Sequence, residues 1–227
     1  MNSPERLNKY LALQLGISRR EADLLIEKGR VTLDGTPATL GARVTDEKIL
    51  VDNKPVTAST ALQYIALHKP VGYVCSRKPQ GDAPTVYSLL PKEFHALKLV
   101  GRLDKDSSGL ILLTNDGDFA YRMTHPKFAK TKVYKVKLDN ELAPLHQQMI
   151  ADYGVQLEDG TSQFALMRLS DNHRQDWQVT MSEGRNRQIR RTFTALGYTV
   201  IKLHRVQFGN YSLGDMKSKE YKVVDIQ

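Results

Sequence analysis

The chain has 227 residues, 33 Lys+Arg against 25 Asp+Glu, a formal charge of +8 and one Cys, with an isoelectric point near 9.5. Apolar residues are 41% and charged residues 26% of the chain, a balance that supports a packed core and excludes wholesale disorder. One cysteine excludes a cystine framework and a thiolate metal cluster. No run of about 18 apolar residues marks a membrane span, and Met1-Asn2-Ser3-Pro4-Glu5 lacks signal-peptide character. These features predict a soluble, cytoplasmic protein with a positive surface suited to a polyanionic partner, built as one domain of ordinary size plus a small one.

Residues 1–60 read as the small unit. Leu7, Tyr10, Leu11 and Leu15 recur at helical spacing before Gly16. Ser18 and Glu21 form a capping box for a second helix that buries Ala22, Leu25 and Ile26, with Gly29 as its left-handed cap. Val31-Thr32-Leu33 predicts a strand, Asp34-Gly35 a hairpin turn, and Ile49-Leu50-Val51 another strand. The small polar run Thr57-Ala58-Ser59-Thr60 reads as a linker or as a surface loop. Residues 61–227 then carry strand-like segments at 64–67, 72–75, 97–100 and 110–113. In 131–138 Tyr134, Val136 and Leu138 take one face while Lys135 and Lys137 take the other. A strand at 177–181, a helix at 187–196 closed by Gly197 and a strand at 199–203 complete the pattern. Strands dominate, which predicts an α+β fold with a mixed, mainly antiparallel sheet.

The charge is uneven. Residues 183–219 hold eight basic against two acidic side chains, a net +6. Arg187, Arg190 and Arg191 fall at i, i+3 and i+4 and predict one cationic stripe beside the apolar stripe of Ile189, Phe193 and Leu196. Such a stripe is either a solvated helix face or, with Asn186 and Gln188 interleaved, a nucleic-acid contact. Arg6, Lys9, Arg19 and Arg20 make a second basic cluster near the N-terminus.

The stretch Gly101-Arg102-Leu103-Asp104-Lys105-Asp106-Ser107-Ser108-Gly109-Leu110 is a polar loop between two apolar strands, a setting that often carries chemistry. Taken alone, Asp104 and Asp106 read as turn residues, helix caps or magnesium ligands. The stretch resembles the catalytic motif of the RsuA/RluB/RluE/RluF family of pseudouridine synthases. Arg6-Leu7-Asn8-Lys9-Tyr10 and Ser18-Arg19-Arg20-Glu21-Ala22 are similar to the S4 RNA-binding domain that precedes the synthase domain in that family. His68-Lys69-Pro70-Val71-Gly72 resembles its opening strand and turn, and Lys132-Val133-Tyr134 its active-site tyrosine strand. Glu183-Gly184-Arg185-Asn186-Arg187-Gln188-Ile189-Arg190-Arg191 and Lys202-Leu203-His204-Arg205 resemble its two later motifs.

The resemblance implies an S4 domain over 1–60 and a synthase domain over 61–227. It implies isomerisation of a uridine in ribosomal RNA with no cofactor and no metal, by a monomer. Asp104 is then the essential carboxylate, acting as nucleophile or as base at the ribose. Tyr134 stacks on a flipped-out base, and Arg190 pairs with Asp104 and keeps it ionised. Leu203 and Arg102 border the uracil pocket. Arg6, Lys9, Arg19, Arg20, Arg185, Asn186, Arg187, Arg191 and Arg205 are the expected RNA contacts. Without the resemblance, Tyr134 and Leu203 are ordinary core residues and Arg190 a phosphate contact or an exposed charge. Residues 154–160 and 183–187 look closer to the large-subunit branch; residues 73–76 and 203–205 look closer to the small-subunit enzyme. The large subunit is the expected target. The rival classes are a non-catalytic S4-type ribosome-assembly factor and a metal-dependent nuclease using Asp104 and Asp106. Cys75 reads as a buried small residue rather than a nucleophile.

Overall fold

The computed structural model describes residues 4–56 and 61–226; the expected linker 57–60 lies outside them. The N-terminal unit runs β1 (Glu5–Arg6), α1 (Leu7–Gln14), α2 (Arg19–Glu27), β2 (Val31–Leu33), β3 (Thr36–Pro37), β4 (Arg43–Val44), β5 (Ile49–Val51) and β6 (Lys54–Pro55). Leu7, Leu11, Ala22, Ile26, Val31 and Ile49 form its core. The capping box forms as the sequence predicts: the Glu21 amide donates to Ser18 Oγ at 3.1 Å and the Ser18 amide to Glu21 Oε2 at 2.6 Å. Two orphan amides of α2 are satisfied in this way. Asp34 and Gly35 both take positive φ, the twist that a two-residue hairpin needs. Leu15 falls beyond α1 and is exposed.

The second unit contains β7 (Tyr64–Lys69), β8 (Lys98–Val100), β9 (Ser108–Thr114), α3 (Gly117–Thr124), β10 (Lys132–Leu138), α4 (Pro144–Gln148) with a following π-helical turn, β11 (Val155–Leu157), β12 (Gly160–Ser162), β13 (Ala165–Arg168), β14 (Asp176–Met181), α5 (Gln188–Ala195), β15 (Val200–Phe208), β16 (Tyr211–Ser212) and β17 (Tyr221–Val223). Its main sheet has the order β13-β14-β10-β15-β9-β7-β17, with β8 beside β9 and β16 beside β15. The β9–β15 pairing is parallel and the other pairings are antiparallel, so the expected mixed, mainly antiparallel α+β sheet is the observed one.

The two faces of this sheet are covered differently. One face packs Trp177, Val179, Tyr134, Val136 and Leu203 against Ile189 and Phe193 of α5. The other is covered over β7, β8 and β9 by Phe119 and Met123 of α3 and by the segment carrying Leu213 and Met216.

One local expectation changes. Residues 72–75 are not a strand: Gly72 has φ +93°, its amide donates to the Lys105 carbonyl, and Val74 makes one isolated bridge to Thr85. The segment braces the 101–107 loop instead. Helix α3, which is not among the expected elements, starts after Thr114 because Asp116 Oδ1 accepts from the Asp118 and Phe119 amides at 2.9 and 3.0 Å and Phe119 and Met123, at i and i+4, supply a buried stripe. The two units touch: Lys9 Nζ lies 2.6 Å from Asp118 Oδ2, and Lys98 Nζ donates to the Ile17 carbonyl at 3.0 Å.

Candidate active site

The loop bearing Asp104 joins β8 to β9 and is held from beneath by Lys69. Ile65, Leu67 and Lys69 alternate inward on β7, so the ammonium is fully buried. Its three protons find three carbonyls, those of Pro70 (3.0 Å), Asp104 (2.9 Å) and Ser107 (2.6 Å). Burial pushes the Lys69 pKa down, and the nearby Cys75, Asp104 and Asp106 oppose that shift. The Ser107 amide closes the turn onto the Asp104 carbonyl at 3.1 Å. Lys69 is not among the site residues expected from the sequence. Its one local signal is a lysine at an inward position of an apolar strand, where an unpaired charge is too costly to keep.

Above this loop opens a cavity of about 330 Å³, a size suited to a small ligand or a single base. Asp104, Tyr134, Leu203, Ile189, Arg205 and Arg102 are among its lining residues. Tyr134 and Leu203 are buried, on β10 and β15, while Arg102 is exposed. The Asp104 side chain is one-third exposed. Arg205, directly across from Tyr134 in the sheet register, is 2% exposed. It donates Nε to the Leu110 carbonyl at 2.8 Å, and its guanidinium lies 4.9 Å from the Phe208 ring centroid. Its Nη2 is buried with no hydrogen-bond partner among the described residues. Cys75 packs against the core and accepts from the Leu103 amide at 3.4 Å, and burial pushes its thiol pKa up.

The cation paired with the Asp104 carboxylate is not the expected one. Arg187 Nη1 lies 3.6 Å from Asp104 Oδ2, and its two terminal nitrogens grip Asp106 at 3.0 Å each. Arg190 instead reaches the Val200 carbonyl at 2.7 Å, the Asp106 carbonyl at 2.9 Å and the Asp106 carboxylate at 3.3 Å. Helix geometry explains the exchange. Arg187 precedes α5 at φ +45°, outside the helical track, and projects over the loop; Arg190 sits a turn later, facing the start of β15. The hydrogen bonds from Arg187 hold the Asp106 carboxyl below its ordinary pKa, with burial opposing and the Arg190 charge assisting.

The expected RNA contacts disperse. Arg191 holds both oxygens of Asp159, at 2.9 and 2.7 Å, and Arg185 bonds the Asp159 side chain together with the carbonyls of Asp159, Gly160 and Thr161. These two arginines therefore tie the β11–β12 hairpin to α5, and Arg187, Arg190 and Arg191 do not form one free stripe. Arg205 is buried and leaves the set of solvent-facing cations. Lys9 is shared between Asp118 and Glu5, and Arg19 donates to Asn8 Oδ1 at 3.1 Å. Arg6, Arg20 and Asn186 are exposed.

Residues 63–195 match the family described as RNA pseudouridylate synthase, and residues 5–49 match the S4 domain. The chain is 37% identical over 212 residues to the Yersinia pestis protein named ribosomal small subunit pseudouridine synthase A, covering 92% of this chain and 90% of that one. It is 38% identical over 219 residues to the Salmonella typhi protein named ribosomal large subunit pseudouridine synthase B, covering 92% and 75%. A solved structure described as a pseudouridylate synthase superposes with a TM-score of 0.69 at 31% identity, covering 97% of this chain and 96% of that chain.

Proposed function

The chain belongs to the RNA pseudouridylate synthase family, and from that premise we propose that it converts one uridine of large-subunit ribosomal RNA to pseudouridine at the cavity above Asp104. The observation that carries the proposal is a half-buried carboxylate between a guanidinium and a base-sized cavity walled by Tyr134 and Leu203. The reaction is an isomerisation. The N1–C1′ bond breaks, the uracil turns, C5 bonds to C1′, and the C5 proton is released as N1 gains one. No atom or electron is supplied from outside, and neither cofactor nor metal enters the scheme.

The target nucleotide leaves its stack, at a cost of a few kcal/mol. Tyr134 offers a ring face to the extruded base, and Leu203 and Ile189 offer apolar wall. The unpartnered Nη2 of Arg205 is a donor for a uracil carbonyl, because a buried guanidinium gains most from a partner that the ligand brings. Asp104 acts at the ribose as nucleophile or base. Arg187 stands 3.6 Å from one of its oxygens. Arg190 is a positioning residue that holds the Asp106 backbone, and Arg102 stands at the mouth of the cavity.

The preference for large-subunit RNA rests on the rim. Identity does not separate the two classes of relative, at 37% and 38%. The segments that lean to the large-subunit branch, 154–160 and 183–187, are joined through Arg185 and Asp159 into one unit beside the cavity. The segments that lean the other way include Leu203 and Arg205, which face the base. A base-facing wall meets uracil in every target, whereas the rim meets flanking nucleotides and discriminates among targets. Residues 1–60, the S4 unit, supply further RNA contacts through Arg6 and Arg20, with residues 61–227 carrying the chemistry. Among the described residues no helix is long and apolar enough to cross a membrane; a monomer working in the cytoplasm is the proposed state.

Mapping pseudouridines in both ribosomal RNAs from cells with and without this protein tests the proposal. One large-subunit site is expected to vanish. The Asp104→Asn variant is expected to leave that site unmodified while binding RNA within a few-fold of wild type. An unchanged map sinks the enzymatic reading, and a lost small-subunit site reassigns the target.

A further inference from the structure

The sheet face opposite the cavity is covered by α3 and the C-terminal segment over β7, β8 and β9. Over β10, β14 and β15 its middle rows stay partly or fully exposed. Lys135 pairs with His204 and Lys137 with Lys202 in the β10–β15 register, and directly opposite residues of an antiparallel pair share a face. Four side chains, three of them permanently cationic at neutral pH, thus lie within two adjacent rows. Successive same-face residues on a strand are about 7 Å apart and cross-strand partners about 5 Å. Lys135 and Lys202 are exposed and Lys137 is half-exposed. None of these three lysines has an ion pair among the described residues. The one carboxylate in these rows, Asp176 opposite Lys137 on β14, lies 3.5 Å from His173 Nε2.

Like charges placed directly opposite each other destabilise a sheet. Lysines pointing outward at a sheet edge are a familiar guard against aggregation, but β10 is paired on both sides at Lys135 and Lys137, while β15 meets β9 only at His204 and Arg205. Edge protection therefore does not account for Lys135 and Lys137, which face His204 and Lys202 from an interior strand. Gln178, beside Lys135 in the same row, adds a neutral hydrogen-bonding group. A compact patch of three lysines without an ion pair among the described residues, set against the single carboxylate of Asp176 opposite Lys137, keeps an excess of positive charge and is complementary to a line of phosphates.

We propose that the Lys135–Lys137–Lys202 face is a second RNA-docking surface, which grips the phosphate backbone of a segment of the same ribosomal RNA distant from the target uridine. The inference rests on the proposed substrate class. Physically, β10 presents Tyr134 to the cavity and the two lysines to the opposite side, so one rigid strand couples base capture to a remote phosphate grip. Lysine suits this task, since a point charge on a flexible stem neutralises phosphates without reading sequence.

The test uses the full chain, the variant Lys135→Gln/Lys137→Gln/Lys202→Gln, and two RNAs: a domain-sized ribosomal fragment and a short stem-loop holding only the target uridine. The variant is expected to bind the large fragment at least about tenfold more weakly at about 0.15 M salt. The slope of log affinity against log salt should fall by about 2 to 3, near 0.9 for each phosphate no longer neutralised. Turnover of the stem-loop should stay at the wild-type level, and the melting midpoint should hold or rise as repulsion is relieved. Unchanged affinity and slope on the large fragment overturn the docking surface, whether or not the variant loses an acidic protein partner. Equal weakening on both RNAs overturns it too, because the lysines would then serve the target arm. Absence of pseudouridine in either RNA with the wild-type chain is a different failure, that of the proposed activity, and leaves the binding arms readable.

Discussion

Arg187 stands between two carboxylates, 3.6 Å from Asp104 Oδ2 and bidentate to Asp106 at 3.0 Å. The pair with Asp106 is nearly half exposed on both sides, so it contributes at most about 1 kcal/mol to stability. Its consequence is positional, since it parks a positive charge beside Asp104 in a fixed orientation. Arg190, by contrast, is largely buried and bonds two main-chain carbonyls.

The two arginines are therefore expected to fail in different ways. Arg187→Ala should lower kcat at least about tenfold, with a melting midpoint within a few degrees of wild type. Arg190→Ala should cost about 2 to 3 kcal/mol of stability, because the loop and β15 lose hydrogen bonds to a charged donor, and should lower turnover through loop displacement. Urea unfolding and single-turnover kinetics on both variants separate the roles. A stable but inactive Arg190→Ala beside a fully active Arg187→Ala would reverse the assignment.

Gly109 opens the parallel contact of β9 with β15. It has φ +112°, and a Cβ there would lie 2.1 Å from the Arg205 carbonyl oxygen and 2.5 Å from the Arg205 nitrogen. Both are backbone atoms, so neither can rotate away. Gly109→Ala is expected to cost more than about 3 kcal/mol, combining the strained φ with forced strand separation. The chemical denaturation midpoint checks this; a wild-type midpoint would show that the two strands can part without cost.

His204 supplies a pH signature. Its Nδ1 lies 2.9 Å from Ser108 Oγ, and its ring centroid is 5.2 Å from that of His68. Burial pushes its pKa below the usual 6.5, with the His68 and Lys135 charges acting in the same direction. The folded state thus prefers the neutral ring, and below about pH 6.5 the unfolded chain binds more protons. This contribution to stability is present above about pH 6.5 and is lost as pH falls below it through the lowered folded-state pKa. Unfolding midpoints from about pH 8 to about pH 5 should decline more steeply for wild type than for His204→Gln. Parallel declines would remove His204 from the effect.

Local signals in the chain suffice for much of the local structure. Ser18 and Glu21 announce α2 because a capping box is closed by residues three apart. The alternation of 131–138 announces β10 because a strand sorts its faces with period two, and the polar run between two apolar strands marks the 101–107 loop. Residues 72–75 and the helix after Asp116 escape such signals, because a glycine with positive φ and an Asx cap outweigh apolar content there.

What the order of residues determined by itself was many of the elements and the family pattern, with Asp104 as the candidate carboxylate within it. Tertiary structure alone decided the partners. It placed Arg187 rather than Arg190 beside Asp104, bound Arg185 and Arg191 to Asp159, buried Arg205 under the cavity and set Lys69 beneath the loop. Each of these pairs joins residues far apart in the chain, and an arginine or lysine stem several ångströms long can reach many acceptors. Which one it reaches depends on strand register and helix phase, and the charge pattern along the chain does not encode those.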